Sequence, residues 1–268
     1  MRILFIDKLK GVAIIFVVMG HVAEFGVGVK DTLFNQFYAS FHMPLFMFLS
    51  GLFAYKSFEH WNMSETILFV KKKFLRVMLP FFTIGGGYML MFTTDIIKGY
   101  TKTCGVYWFF PALFYCMIAG LILGLINHKL NQGRRISADL ALAIIMIIVN
   151  QVISTNLLGI TDLENIPYFK WYTAMFPFFY FGVVCARYKT IANLVSHSER
   201  IYTLSLLFYF IAMILGGERK FTGIFSIIVL YQLFMRYDAT YLGSFPQLVH
   251  IALKSTRFIG FCSLSYHP

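Results

Sequence analysis

Long apolar runs alternate with short polar segments along the whole chain, and the basic residues gather at the ends of those runs. A run of that length with few charges is a candidate for a membrane-crossing helix. Eight such spans are predicted, over residues 9–29, 36–54, 77–94, 107–126, 138–155, 172–188, 201–216 and 221–235. The last is short, and 237–257 is too polar and broken to add another. No internal repeat, low-complexity linker or soluble segment interrupts the pattern. The expected fold class is therefore all-α, a polytopic transmembrane helix bundle of about eight spans, in a single domain over residues 1–268.

The first span carries ionisable groups where only apolar residues are cheap. It reads LKGVAIIFVVMGHVAEFGVGV, with His21 and Glu24 at membrane depth. Such a group costs a few kcal/mol on insertion scales (about 2.5–3.5 for the charged residues), which marks it as a functional candidate. At 100° per residue Lys10, Ile14, Val17, His21 and Glu24 fall on one stripe. Lys10 and His21 differ by about 20° in angle and about 16 Å in height, and Asp7 lies about 60° from Lys10. The second span, QFYASFHMPLFMFLSGLFAY, carries His42 near its start and Ser50-Gly51 deeper. His21 and His42 should both sit about 10 Å below the outer surface. The short connection makes the two helices antiparallel neighbours, so the rings are expected to meet. Pro44 should loosen the backbone ladder beside His42. One membrane histidine is as readily explained as a hydrogen bond between helices. Two at one depth, with Glu24 a turn away, favour a site.

Charge orients the bundle. With the N-terminus in the cytoplasm, 17 of the 23 Lys and Arg residues fall in alternate, cytoplasmic segments, which is the positive-inside bias. The net charge of +11 is thus spread over span ends rather than gathered in one block, which argues against a nucleic-acid partner. The composition, 59% hydrophobic and 13% charged, is that of a membrane protein. The basic start before an apolar run resembles a signal peptide, but the run is too long, has no cleavage pattern and is followed by further spans. Cys104, Cys116, Cys185 and Cys262 form neither a disulfide framework nor a metal pattern, and no metal site is expected.

Between spans two and three, KKKFLRVMLPFF holds Lys71, Lys72, Lys73 and Arg76. Lys71 and Lys72 are read as markers of the cytoplasmic end. Lys73 and Arg76 fall one turn apart on one face, and a guanidinium there suits a phosphate from a cytoplasmic donor. Tyr107 and Trp108, opening span four, suit an outer aromatic belt. Asn150 and Gln151 suit contacts between helices, and His128, His197 and His250 are expected in solvated loops.

Four stretches, in order, resemble the acyltransferase type 3 family of integral membrane acyltransferases. They are IDKLKGVAIIFVVMGH with Asp7, Lys10, Gly11 and His21; SFHMPLFMFLSG with His42, Pro44, Ser50 and Gly51; KKKFLRVMLPF with Arg76 and Pro80; and YWFFPALF with Trp108 and Leu113. FPFFYFG is a weaker match, and FHMPLF looks most like the fucose 4-O-acetylase branch of sugar O-acetylases. Many family members carry arginine where this chain has Lys10, which keeps the charge but loses the bidentate fork. RFIGFCSLSYHP reaches only the start of the family's usual closing helix, so one or two C-terminal spans are expected to be missing, which bears on activity.

The resemblance implies a membrane enzyme, an O-acyltransferase, with acetyl-CoA as co-substrate and no bound cofactor. The acceptor would be a hydroxyl of a cell-surface or lipid-linked glycan, and the place a bacterial cytoplasmic membrane. Donor phosphates would meet Lys10, Lys73 and Arg76, with Asp7, Ser50 and Trp108 in support. His21 would be the general base. His42 would orient the acceptor, stabilise the oxyanion or relay the proton, and Glu24 would fix an imidazole tautomer. A covalent acyl-histidine is an equal alternative. A glycan transporter or flippase also uses charge at mid-depth, but the matched broken helices of that class are not seen. An inactive, truncated family member is the third reading.

Overall fold

The structure is a computed structural model that describes residues 4–23, 33–55, 63–92, 95, 99–103, 107–130, 136–154, 166–215 and 219–236. Among these residues every regular element is helical. In chain order they are α1 (Leu4–His21), α2 (Leu33–Ala54), α3 (Met63–Lys73), α4 (Gly86–Phe92), α5 (Phe109–Leu130), α6 (Ile136–Ser154), α7 (Phe169–Arg187), α8 (Lys189–His197), α9 (Glu199–Ile214) and α10 (Arg219–Arg236). Most expected spans coincide with a helix to within a few residues.

Three helical stretches among the described residues are long and apolar enough to cross a bilayer: Ser64–Met91, Phe109–His128 and Ile136–Ile153. Ser40–Ala54 and Thr222–Met235 are shorter apolar stretches. The first of the long stretches differs from the expected span 77–94, because the helix starts well before the lysines, which close α3 rather than lying in a loop. The helix continues from α3 to α4 through two π-helical turns, Phe74–Met78 and Phe81–Gly85, that bracket Pro80. Proline has no N–H and its ring clashes with the carbonyl four residues back, so the wider turns on either side absorb the misfit. By contrast α2 runs through Pro44 unbroken.

The chain divides into two compact units, residues 1–53 with 181–268, and residues 54–180. In the first, α1 and α2 are antiparallel. The ring of Phe16 stands 4.8 Å from Phe41 and 6.3 Å from Phe37, while Lys10, nearer the start of α1, reaches Phe53 at the end of α2. The end of α7 approaches α2 backbone to backbone: a Cβ on Gly182 would strike the Phe48 carbonyl oxygen and lie 2.9 Å from the Leu52 amide nitrogen. Only glycine fits there. Ser40 joins α2 to α9, its hydroxyl standing 3.0 Å from the Tyr209 hydroxyl while it donates to the Phe37 carbonyl. The chain breaks at Tyr188 and again at Ser198, which caps α9 by accepting from the Ile201 amide. Gln232 of α10, fully buried, donates to the Val195 and Ser198 carbonyls that the second break exposes.

In the second unit the stretch from the first π turn through α4 runs antiparallel to α5, with Phe74 near Phe114 and Tyr88 near Tyr107, which just precedes α5, each pair at 5.7 Å. α6 turns an inside-out face to its neighbours. Asp139, Ala143 and Asn150 are buried, while Ile144, Ile145 and Ile148 are exposed. Where the surroundings are lipid, hydrogen bonds and close packing, not expulsion of water, hold helices together. Tyr180 donates to the Asp139 carboxylate and Asn150 donates to the Tyr172 hydroxyl at 2.8 Å, so two polar ties fix α6 against the first part of α7. That is the role expected of Asn150; Gln151 beside it is exposed.

Candidate functional site

Two half-exposed stripes face the candidate chemistry in the first unit. On α1 the deepest face is Leu9, Ala13 and Gly20, while Val18, Met19 and Val22 are exposed. The stripe Lys10, Ile14, Val17 and His21 runs between these faces, about 100° from the buried one. On α2, His42, Phe46, Ser50 and Phe53 are half-buried among residues that are mostly buried, and their spacings of 4, 4 and 3 put them on one face. The stripes meet at the Lys10–Phe53 contact. The Lys10 ammonium is 4.2 Å from the Phe53 ring centroid and 4.0 Å from the Asp7 carboxylate, and the residue is only 7% exposed. A cation held over a ring away from water gains about 2 kcal/mol, which offsets part of the cost of its burial. The result is a polar seam with a cation at one end and imidazoles toward the other.

The histidines are not level, as the sequence suggested. His21 closes α1 rather than lying well inside it, and it is exposed. His42 adjoins Phe41, whose ring packs on Phe16, and His21 is five residues past Phe16, about 7.5 Å further along α1. The expectation measured both rings from the outer ends of their spans, and residues 24–32, which join α1 to α2, lie outside the described residues. Helical side chains lean toward their own N-terminus, so in this antiparallel pair the two imidazoles lean toward each other and reduce the offset. Glu24 lies outside the described residues.

In the second unit Lys73 is buried, its ammonium 5.5 Å from the Phe69 ring centroid, whereas Arg76 is exposed on the first π turn. The two cations thus differ in burial, although only three residues separate them. Lys71 and Lys72 are exposed, inside the helical stretch Ser64–Met91 rather than at its end. Trp108 stacks on Trp171, ring centroids 4.4 Å apart and planes 20° from parallel.

Sequence reasoning misses three features here. Asp139 is fully buried at the start of α6; the i, i+4, i+11 spacing of Asp139, Ala143 and Asn150 is the available signal. Trp171 does not stand out in the sequence because nothing local links it to Trp108. Tyr168, just before α7, has a φ of +65°, the left-handed region that a bulky residue rarely adopts, and no pattern announces it. His128 and His197 are exposed, and His197 Nδ1 is 2.6 Å from the Ser196 hydroxyl. His250 lies outside the described residues.

A family model described as an acyltransferase domain, of type 3, matches residues 3–261. No curated protein and no solved structure matches the chain.

Proposed function

We propose, because this chain belongs to the acyltransferase type 3 family and is in that general sense a membrane acyltransferase, that it moves an acetyl group from acetyl-CoA to a hydroxyl of a cell-envelope glycan. The observation that supports this reading is the antiparallel pairing of α1 and α2, in which the stripe of Lys10 and His21 on one helix and that of His42 and Phe53 on the other meet where the Lys10 ammonium lies over the Phe53 ring. In this scheme His21 takes the proton of the acceptor hydroxyl as its oxygen attacks the thioester carbonyl. His42 hydrogen-bonds the carbonyl oxygen as it becomes an oxyanion. The C–S bond then breaks, the acetyl ester remains on the sugar, and the CoA thiolate leaves and recovers the proton from the imidazolium. Lys10 and, separately, the cations Lys73 and Arg76 supply positive charge for the donor's phosphates. Asp7 orients Lys10. Glu24 is assigned the tautomer of an imidazole, and Ser50 lies on the His42 face two turns deeper. The bias of 17 of 23 basic residues supports a cytoplasmic N-terminus, with the donor drawn from that side of a bacterial inner membrane.

The test is transfer of labelled acetyl from acetyl-CoA to endogenous glycan, with release of free CoA, in membranes carrying the full chain. Transfer by the parent chain and its loss in His21→Ala and His42→Ala are expected. If both variants transfer at the parental rate, the mechanism is wrong. If the parent releases no CoA, acyl transfer itself is wrong.

A further inference from the structure

The stacked tryptophans of the second unit suit a ligand rather than a bilayer. Trp171 is 42% exposed, Trp108 lies against its inner side, and Lys170 beside it is exposed. An indole in an interfacial belt needs only to reach the headgroups, and its demands on geometry are loose. Here the geometry is tight and strained. The left-handed Tyr168 stands three residues before Trp171 and fixes how α7 begins. Its hydroxyl donates to the Tyr100 carbonyl, and its ring meets Phe81 edge-on at 5.6 Å. Strain of that kind persists where surroundings over-determine it, and it clusters at ligand sites. Two of the chain's three tryptophans are committed to this one stack.

A flat, exposed apolar face matches a ligand that has one apolar face of its own. A hexopyranose ring has that form, with axial C–H groups on one face and hydroxyl or carboxyl groups at its rim. The place also separates it from the basic cluster. Tyr88 of α4 adjoins Tyr107, next to Trp108, and twelve residues, at most about 18 Å of helix, separate Tyr88 from Arg76. We propose that the exposed face of Trp171, backed by Trp108, binds a hexopyranose ring of the acceptor glycan. This rests on the glycan acceptor proposed above.

The test uses the purified full chain in nanodiscs with Trp61→Phe, so that emission comes from the pair alone. Methyl glycosides of a hexose, a deoxyhexose and a uronic acid are titrated, and the same sample is then made with brominated lipids. Saturable quenching by at least one glycoside and weak quenching by brominated lipid are expected. Trp171→Phe should retain sugar quenching of Trp108, and Trp171→Ala should raise the acceptor KM by about three- to tenfold with kcat kept. No sugar response, or strong brominated-lipid quenching, would make the pair an interfacial anchor and overturn the proposal. Sugar quenching without acetyl transfer would leave the platform standing and refute acyl transfer. Transfer with an unchanged KM in Trp171→Ala would do the reverse.

Discussion

Three glycines give a graded test of how closely the helices approach one another. A Cβ at Gly182 would collide with the Phe48 carbonyl oxygen and sit 3.0 Å from the Phe48 carbonyl carbon and 2.9 Å from the Leu52 nitrogen. These are backbone atoms of a helix and have no rotamer in which to retreat. Ordinary contacts between carbons lie at about 3.5–4.0 Å, so Gly182→Ala must push the end of α7 from α2 by about 1 Å. Overpacking of that kind costs about 1–3 kcal/mol. Gly86→Ala should be milder, because its Cβ meets the Tyr100 hydroxyl, the far end of a side chain. That hydroxyl donates to the Phe82 carbonyl at 2.7 Å, so adding Tyr100→Phe relieves the clash at the loss of one hydrogen bond. Gly87 has nothing within 4 Å of a Cβ, and Gly87→Ala should be neutral or stabilising by about 0.5–1 kcal/mol through helix propensity. The assay is thermal unfolding of detergent-solubilised protein, followed by loss of the monodisperse peak. The expected order is Gly87→Ala at or above parent, Gly86→Ala below it with partial rescue by Tyr100→Phe, and Gly182→Ala lowest. His42 lies six residues from Phe48 on α2, so the shift should also lower acyl transfer, by about a hundredfold if it moves the imidazole by about 1 Å. Equal melting of Gly182→Ala and parent would refute the close approach of α7 to α2.

The polar ties within the second unit should couple measurably. A double-mutant cycle of Asn150→Leu with Tyr172→Phe is expected to give about 0.6–1.7 kcal/mol of interaction in membrane-mimetic unfolding, and additivity would contradict the bond between them. Lys10→Arg should keep acetyl transfer, since a guanidinium also sits over the Phe53 ring and beside Asp7. Lys10→Met should raise the KM for acetyl-CoA severalfold at low salt; an unchanged KM would remove Lys10 from the donor's path.

Helix positions are legible in the sequence because hydrophobic length and charge at the ends are local properties. The Leu33–Ala54, Ile136–Ser154 and Arg219–Arg236 helices lie where the apolar runs put them. The third span is displaced because KKKFLR reads as a boundary, whereas lysines on a helix can reach a polar surface along their own stems. Of the candidate site, the α1 and α2 stripes and their antiparallel pairing follow from 100° periodicity and a short connection. The relative depth of His21 and His42 does not, since it depends on where each helix ends and on the register that Phe16 sets with Phe37 and Phe41. The contrast in burial between Lys73 and Arg76 is equally hidden, because a π turn rotates the residues beyond it and nothing but Pro80 hints at one.

Exposure along the seam on α1 and α2 grades from the buried Lys10, through the half-buried Ile14, Val17, His42 and Phe46, to the exposed His21, and the proposed chemistry requires such a gradient. A fully buried imidazole pair would act as a structural hydrogen bond, with no route for a sugar or a thioester. A fully exposed pair in lipid would lack a fixed partner. Here one end of the seam is closed by the Lys10 ammonium between Asp7 and Phe53, while Ile14, Val17 and Phe46 keep its walls apolar and half-covered. The proposed donor has a polyanionic head at one end and a reactive carbonyl at the other. A cation at the foot of the seam, His42 partway along it and His21 roughly 16 Å on repeat that order of charge and imidazole along the helix axis. The sequence shows the same order because a stripe on one helix is written at fixed spacing, and the fold brings the second stripe against it at the Lys10–Phe53 contact.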